Sequence, residues 1–384
     1  MVETDRSGRR PDIVTRLAAR TLALSTTHSV SRDEDAILAS ISEQLRAHDS
    51  LEFLDQGDSV VFAGPRVRRV DAPFVVLAGH VDTVPIAGAR MPAEQEGEAI
   101  IGRGTSDMKA GLAVMLEIAS DMAHPSEVCD LDVGYLFFGR EELPINESAL
   151  LPLFDRCPAA STIELAIVME PTDNAIEVGC LGNLNAEVIV EGTAAHSARP
   201  WLGENAIHAA IEALAPLADL PDRDVTIDGL TFREVVSVTM IEGGIASNVV
   251  PDRVTAHVNY RYAPTHAPAE AEARLRELLG HRRARVEIVG NAPPGSVNVA
   301  NPLVQRLRRA GDLRLGPKQA WTPVAEFATV NVDAVNFGPG DPQYAHRDDE
   351  RVEVAAIVRS YEVLRGFLGL DGGSDGSRAA GGDE

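Results

Sequence analysis

The chain has 384 residues, 45 % of them apolar and 24 % charged, with a net charge of -23 and three cysteines. That acidity excludes a phosphate backbone or an anionic membrane as a natural partner. The apolar content is enough for two domains, yet no stretch approaches the ~20 apolar residues that a membrane span requires.

The opening MVETDRSGRRPD has basic residues but no apolar run behind it, so no signal peptide is expected. Cys129, Cys157 and Cys180 are odd in number and scattered, without CxxC spacing. That argues against a disulfide frame or a thiolate metal site and for a reducing compartment, the cytoplasm.

Residues 11–24 and 32–47 read as helices. Ser31 is placed to cap the second, in which Ile37, Leu38, Ile41 and Leu45 share a face. The apolar runs VVFAG, FVVLAGH, DVGYLFFG and LAIVMEP alternate with helical stretches, the pattern of an α/β domain with a mixed, largely parallel sheet flanked by helices. GLAVMLEIASDMA, at 111–123, reads as an amphipathic helix with Leu112, Met115, Leu116, Ala119 and Met122 on its buried stripe.

From about residue 183 the pattern changes to β-α-β-β-α-β, the split βαβ or ferredoxin-like plan. The α/β pattern resumes near residue 300 and ends on a helix at 352–368. The expected domains are therefore a catalytic part over 1–181, an inserted domain over 182–290, a second catalytic part over 291–370, and a disordered Gly/Ser/Asp-rich tail at 371–384.

The polar residues that follow the strands of the large domain carry the functional signal. His80 and Asp82 follow FVVLAG. Asp107 stands at the mouth of the 111–123 helix, Glu141 and Glu142 follow DVGYLFFGR, Glu170 follows LAIVM, and His346 follows AVNFGPGDPQYA. In an open α/β sheet, ligands bind beyond the carboxyl ends of the strands.

Singly, a His-x-Asp is ordinarily a surface pair, a Glu-Glu loop is solvated, and an Asp before a helix is a cap. Five strand ends carrying such residues point instead to a metal centre, and imidazole with carboxylate and no thiolate suits catalytic Zn²⁺. Two ions carry +4, which three carboxylates and a bridging hydroxide would balance, and such a pair can polarise a carbonyl. A free glutamate beside them serves as general base. Chain alternation after the strand sends one of Glu141 and Glu142 to the metals and leaves the other free; the residues alone do not say which.

The segments GHVDTVP, GRGTSDMKAGLA, REE, MEPT, GTAAHSARPWLGENAI, GGIASNVVPD and GPGDPQYAHRDDERV occur in order over about 74–355. Together they resemble the dinuclear-zinc family of aminoacylases, acetylornithine deacetylases, glutamate carboxypeptidases and succinyl-diaminopimelate desuccinylases. The resemblance implies two Zn²⁺ per subunit, with Co²⁺ able to substitute. His80 and Glu170 would bind one ion, Glu142 and His346 the other, and Asp107 both. Glu141 would be the general base and then the acid, and Asp82 would hold the His80 ring in one tautomer.

The inserted domain would be a lid and homodimer interface, with His196 reaching across the dimer to the oxyanion. Asn248 and Arg261 match positions that hold a substrate carboxylate, and Arg199 is a further candidate. In detail the segments are most similar to the actinobacterial desuccinylase branch. That implies hydrolysis of N-succinyl-LL-2,6-diaminopimelate to succinate and LL-2,6-diaminopimelate, in lysine and cell-wall precursor synthesis. The alternative is an acetylornithine deacetylase or another di-zinc N-acyl-amino-acid hydrolase or dipeptidase. The segment AWTPVAEFA at 320–328 departs from the branch's pattern and bears on acyl specificity.

Overall fold

The computed structural model describes residues 12–123, 129–280 and 282–370; the tail expected to be disordered lies outside them. Two compact units divide the chain. Of the described residues, the larger holds those within 1–177, 298–316 and 327–384, and the smaller those within 178–297 and 317–326.

The larger unit begins with helices α1 (Ile13–Thr26) and α2 (Asp35–Arg46), followed by strands β1 (Leu51–Gly57), β2 (Val60–Pro65) and β3 (Phe74–His80). The short strands β4 (Glu94–Glu96) and β5 (Ala99–Ile101) precede helix α3 (Ala110–Met122). Next come β6 (Asp132–Phe138), α4 (Leu150–Arg156), β7 (Leu165–Val168) and β8 (Ile176–Val178). β3, β6 and β7 are buried along their whole length, as the central strands of a sheet covered on both faces must be.

The smaller unit contains β9 (Gly182–Glu191), β10 (Ala195–His196), α5 (Ala206–Ala218), β11 (Arg223–Ile227), β12 (Leu230–Gly243), β13 (Val249–Val250), β14 (Arg253–Tyr262), α6 (Pro268–Leu278) and β15 (Ala284–Ala292). The chain then supplies α7 (Pro302–Gly311), β16 (Leu315–Pro317), α8 (Val324–Thr329), β17 (Ala334–Asn336), β18 (Arg351–Glu353) and α9 (Val354–Leu368).

The large sheet runs β1-β2-β6-β3-β7-β17-β8-β16. β3 pairs in parallel with both β6 and β7, and β17 in parallel with β7, whereas β1 and β2 are antiparallel. This is the mixed, largely parallel sheet expected. α3 differs from the expectation of an amphipathic helix, because every residue from Ala110 to Ala119 is buried. It packs against α1 and α9 as well as the sheet. Its buried Glu117 is held by Arg16 and Arg20 of α1.

In the smaller unit the antiparallel sheet runs β11-β12-β14-β9-β15. Leaving aside β11, a hairpin addition, this is the ferredoxin-like order of a split βαβ. α5 and α6 bury one face of this sheet through Leu184, Val188, Val258, Tyr260, Ala210 and Leu275. Alternate residues, among them Asn183, Asn185, Asn259 and Arg261, face away from those helices. Residues 291–297 and 317–326, assigned by pattern to the second catalytic part, belong to the smaller unit. Trp321 anchors the second of these segments there, its indole N–H donating to the Pro293 carbonyl at 3.0 Å.

Candidate metal centre

His80 ends β3 and is 1 % exposed. Its Nε2 lies 3.0 Å from Asp107 Oδ1 and 3.7 Å from Glu170 Oε1. Its Nδ1 is 3.0 Å from the Asp82 backbone carbonyl and 3.6 Å from the Asp82 carboxylate. Both contacts come from Asp82, the shorter from its main-chain carbonyl. An Nδ1–H donated to that carbonyl leaves the Nε2 lone pair for a metal.

The Asp82 carboxylate has a further task. It is fully buried and accepts the backbone N–H groups of Glu141 (3.1 Å) and Glu142 (3.2 Å) and the Ser31 hydroxyl (2.7 Å). Ser31, expected to cap α2, is used here instead. The loop bearing both glutamates is therefore fixed by one carboxylate at the end of the neighbouring strand.

Asp107 sits in an irregular turn ahead of α3, where its φ and ψ of -118° and 95° are non-helical. Its two oxygens face opposite ways: Oδ1 meets His80, and Oδ2 lies 3.4 Å from His346 Nε2. His346 Nε2 also stands 3.1 Å from Glu142 Oε1. Glu170 is placed by close backbone packing. A Cβ at Gly111 or Gly338 would stand 2.5 or 2.4 Å from the Met169 carbonyl oxygen, so only glycine allows α3 and the 338 loop to approach that strand end.

Two sets of three possible metal ligands result, His80–Asp107–Glu170 and Asp107–Glu142–His346, and Asp107 is common to both. A third set, His80–Glu141–Glu142, overlaps them. The donors are all imidazole nitrogen or carboxylate oxygen, and a shared carboxylate with a separate His and Glu on each side fits two divalent cations. All three cysteines are free and buried, and burial pushes the Cys180 thiol up to about 11, so thiolates play no part.

The electrostatics of the metal-free cluster follow from crowded carboxylates around two imidazoles. Burial opposes charge on His80, but the carboxylates of Asp107 and Asp82 outweigh it and raise the imidazole well above its ordinary range. His346 is raised to about 10 by its contacts with Asp107 and Glu142. Burial would raise Asp107, yet its hydrogen bonds to His346 and His80 hold it well below the usual carboxylate range.

Glu141 is pushed well up by burial, opposed by the charge on His80 and reinforced by repulsion from Glu170, Glu142 and Asp107. Its carboxylate has no hydrogen-bond partner among the described residues. Cations in the cluster would reverse that repulsion and keep Glu141 ionised.

The remaining predicted residues lie in the smaller unit, at two places. His196 pairs with Val249 across the β10–β13 ladder. Ala198 N–H donates to its Nδ1 at 3.0 Å, which puts the ring proton of the neutral form on Nε2, facing outward as a donor. Asn248 adjoins it, its carbonyl accepting Ser197 N–H at 3.0 Å, and Arg199 is exposed in the same turn.

Arg261 lies near the other end of β14, opposite Asn183. Its Nε–H donates to Asn259 Oδ1 at 3.0 Å, while the Asn259 amide donates to Asn183 and Asn185 at 2.7 and 2.8 Å. No carboxylate among the described residues pairs with this half-buried guanidinium, and burial pushes its pKa down. The three asparagines escaped the sequence reading; their i, i+2 spacing in GNLN and NYR was the available signal.

Comparison with known proteins identifies the family. The family described as peptidase family M20/M25/M40 matches residues 76–369. A Corynebacterium glutamicum protein named succinyl-diaminopimelate desuccinylase is 37 % identical over 310 residues, covering 79 % of this chain and 83 % of its own. A Mycobacterium tuberculosis protein, provisionally named for the same activity, is 37 % identical over 350 residues, covering 91 % and 97 %. Among solved structures, the aminopeptidase PepT of Bacillus cereus superposes with a TM-score of 0.76 over 92 % of this chain and 98 % of its own, at 18 % identity, a likeness of fold. The chain belongs to the M20/M25/M40 peptidase family.

Proposed function

We propose that the protein is a metal-dependent amide hydrolase that cleaves N-succinyl-LL-2,6-diaminopimelate to succinate and LL-2,6-diaminopimelate. The observation that carries the chemistry is the pair of three-ligand sets sharing Asp107. The substrate rests on the 37 % identical desuccinylase-named relatives. An unpaired, half-buried arginine in a chain of net charge -23 adds support, because such a cation is costly unless an anion comes to it.

In this reading His80 and Glu170 would hold one Zn²⁺ and Glu142 and His346 the other, Asp107 would serve both, and Co²⁺ could replace either. When bound, the ions polarise the scissile carbonyl and make water a competent nucleophile at neutral pH. Glu141 takes the proton from the attacking water and returns it to the amine as the C–N bond breaks. Asp82 keeps Glu141 and Glu142 in register through their amides. The His196 Nε2–H donates to the oxygen that gains charge, and Asn248 and Arg199 line the same approach.

His196 and Arg261 lie towards opposite ends of the β9–β14 ladder. Arg253 to Arg261 alone spans roughly 25 Å at the strand rise, and His196 lies beyond Arg253. Both reach one small substrate only if two copies contribute, which supports a homodimer. Val235–Gly243 of β12 pairs with β14 on one side and has no strand on the other among the described residues. That edge exposes Met240 and Ile241, with Ile211 exposed on α5, as a second copy would require. Sedimentation at a single chain mass under assay conditions would exclude the dimer. No helix among the described residues is long and apolar enough to cross a membrane, and the free cysteines suit the reducing cytoplasm.

The test is hydrolysis of N-succinyl-LL-diaminopimelate beside N-acetyl-L-ornithine, with zinc and with chelator. Strong preference for the succinyl compound, lost on chelation, is expected; preference for the acetyl compound overturns the substrate. Arg261→Ala should lower kcat/KM for the succinyl compound about 10- to 100-fold, mainly through KM, as loss of a charge-assisted hydrogen bond predicts. A KM equal to the parent's would remove Arg261 from the substrate site.

A further inference from the structure

Two of the proposed metal ligands, Asp107 and His346, sit on irregular backbone. Asp107 is in a non-helical turn, and His346 has a φ of 65°, in the left-handed region that a residue with a side chain seldom adopts. Something must hold both segments in place, and the structure contains a fastening that joins them.

Glu350 is 1 % exposed and Arg103 3 % exposed. Glu350 Oε1 accepts the backbone N–H groups of Ser106 and Asp107, each at 3.1 Å. Its Oε2 accepts from Arg103 Nη1 at 2.7 Å. The same guanidinium reaches the other segment, Nη1 donating to the Arg347 carbonyl at 3.2 Å and Nη2 approaching the His346 carbonyl at 3.5 Å. The Glu350 main chain closes the loop by accepting Gly102 N–H at 2.9 Å. One carboxylate thus grips the amide of one ligand, and the arginine it holds grips the carbonyls at the other.

We propose that the Arg103–Glu350 pair is a positioning clamp that sets the separation and aim of Asp107 and His346 and so sets the affinity of the metal site. The plain alternative is a buried ion pair that supports the fold alone, because removing one partner of such a pair is destabilising by itself. The contacts distinguish the two. All four main-chain groups engaged by the side chains belong to a proposed ligand or its immediate neighbour, Ser106 and Asp107 on one side and His346 and Arg347 on the other. Partners that orient metal ligands typically alter affinity ~10–100-fold when changed. The inference rests on Asp107 and His346 being ligands.

The test is zinc affinity, measured by competition with a chromophoric chelator well below the melting temperature of each variant. Glu350→Gln keeps the shape and an oxygen for the Ser106 and Asp107 amides. It also turns an amide NH₂ toward the Arg103 donors, which opens the clamp between its two arms. Zinc affinity of the weaker site should fall ~10–100-fold. Arg103→Lys, which preserves charge but cannot reach Glu350 and both carbonyls at once, should weaken zinc in the same direction and serves if the first variant does not fold. Zinc affinity within twofold of the parent in a folded variant, even with a lower melting temperature, makes the pair purely structural and overturns the clamp alone. A parent protein that binds no zinc overturns the metal-site reading and the clamp with it.

Discussion

Glu141→Gln is expected to lower kcat by about 10²–10⁴-fold, the usual worth of a positioned general base, while zinc stoichiometry stays at the parental value. The geometry makes this substitution unusually clean. The contacts that fix the loop run from the main-chain amides of Glu141 and Glu142 to Asp82, so changing the side chain leaves them in place. The carboxylate itself has no hydrogen-bond partner to lose among the described residues. Burial and repulsion from Glu170, Glu142 and Asp107 already disfavour its charge in the metal-free protein, so the metal-free variant should melt no lower than the parent. Glu142→Gln should behave differently, because Glu142 lies in a ligand set with Asp107 and His346. It should lose zinc as well as activity. A Glu141→Gln enzyme within about tenfold of parental kcat would place the base elsewhere. If the metal loss appeared at Glu141 instead, the two roles would be exchanged.

Why so much of the site could be read from the chain is a matter of topology. A largely parallel sheet gathers its strand ends on one edge, so acids and histidines that follow apolar runs converge whatever the loops between them do. His80, Glu170 and the Glu141–Glu142 pair were legible for that reason, although which glutamate is the ligand was not, and the structure brings them together with Asp107 and His346.

What could not be read depended on contacts distant in sequence or indifferent to side-chain pattern. Arg103 and Glu350 are 247 residues apart, and neither breaks a periodicity. Asp82 spends its carboxylate on two main-chain amides, which carry no residue-type signal. The Ala- and Gly-rich sides of α3 looked like a solvent face but lie against α1 and α9, because small residues mark close packing as readily as exposure. The 317–326 segment changes unit through contacts such as that between Trp321 and Pro293, with no shift in composition to announce it.

Chelation should abolish hydrolysis and lower the melting temperature, with zinc restoring both. Without cations, Asp107, Glu141, Glu142 and Glu170 crowd a small volume in which His80 and His346 offset part of the carboxylate charge. A ligand that binds only the folded state at 100–1,000 times its Kd stabilises by about 2.7–4.1 kcal/mol, which for a domain of this size shifts melting on the order of 10 °C. The gap should narrow as pH falls. A metal needs the lone pairs of both imidazoles, and in the metal-free protein both rings hold their protons more tightly than free histidine does. Protons therefore compete with the ions and substitute for part of their charge. The measurement is calorimetric melting with zinc and with chelator at two pH values on either side of neutrality. Equal melting temperatures at the higher pH would contradict a bound cluster, whereas a gap that widened on acidification would mean that the ions are not held through these histidines.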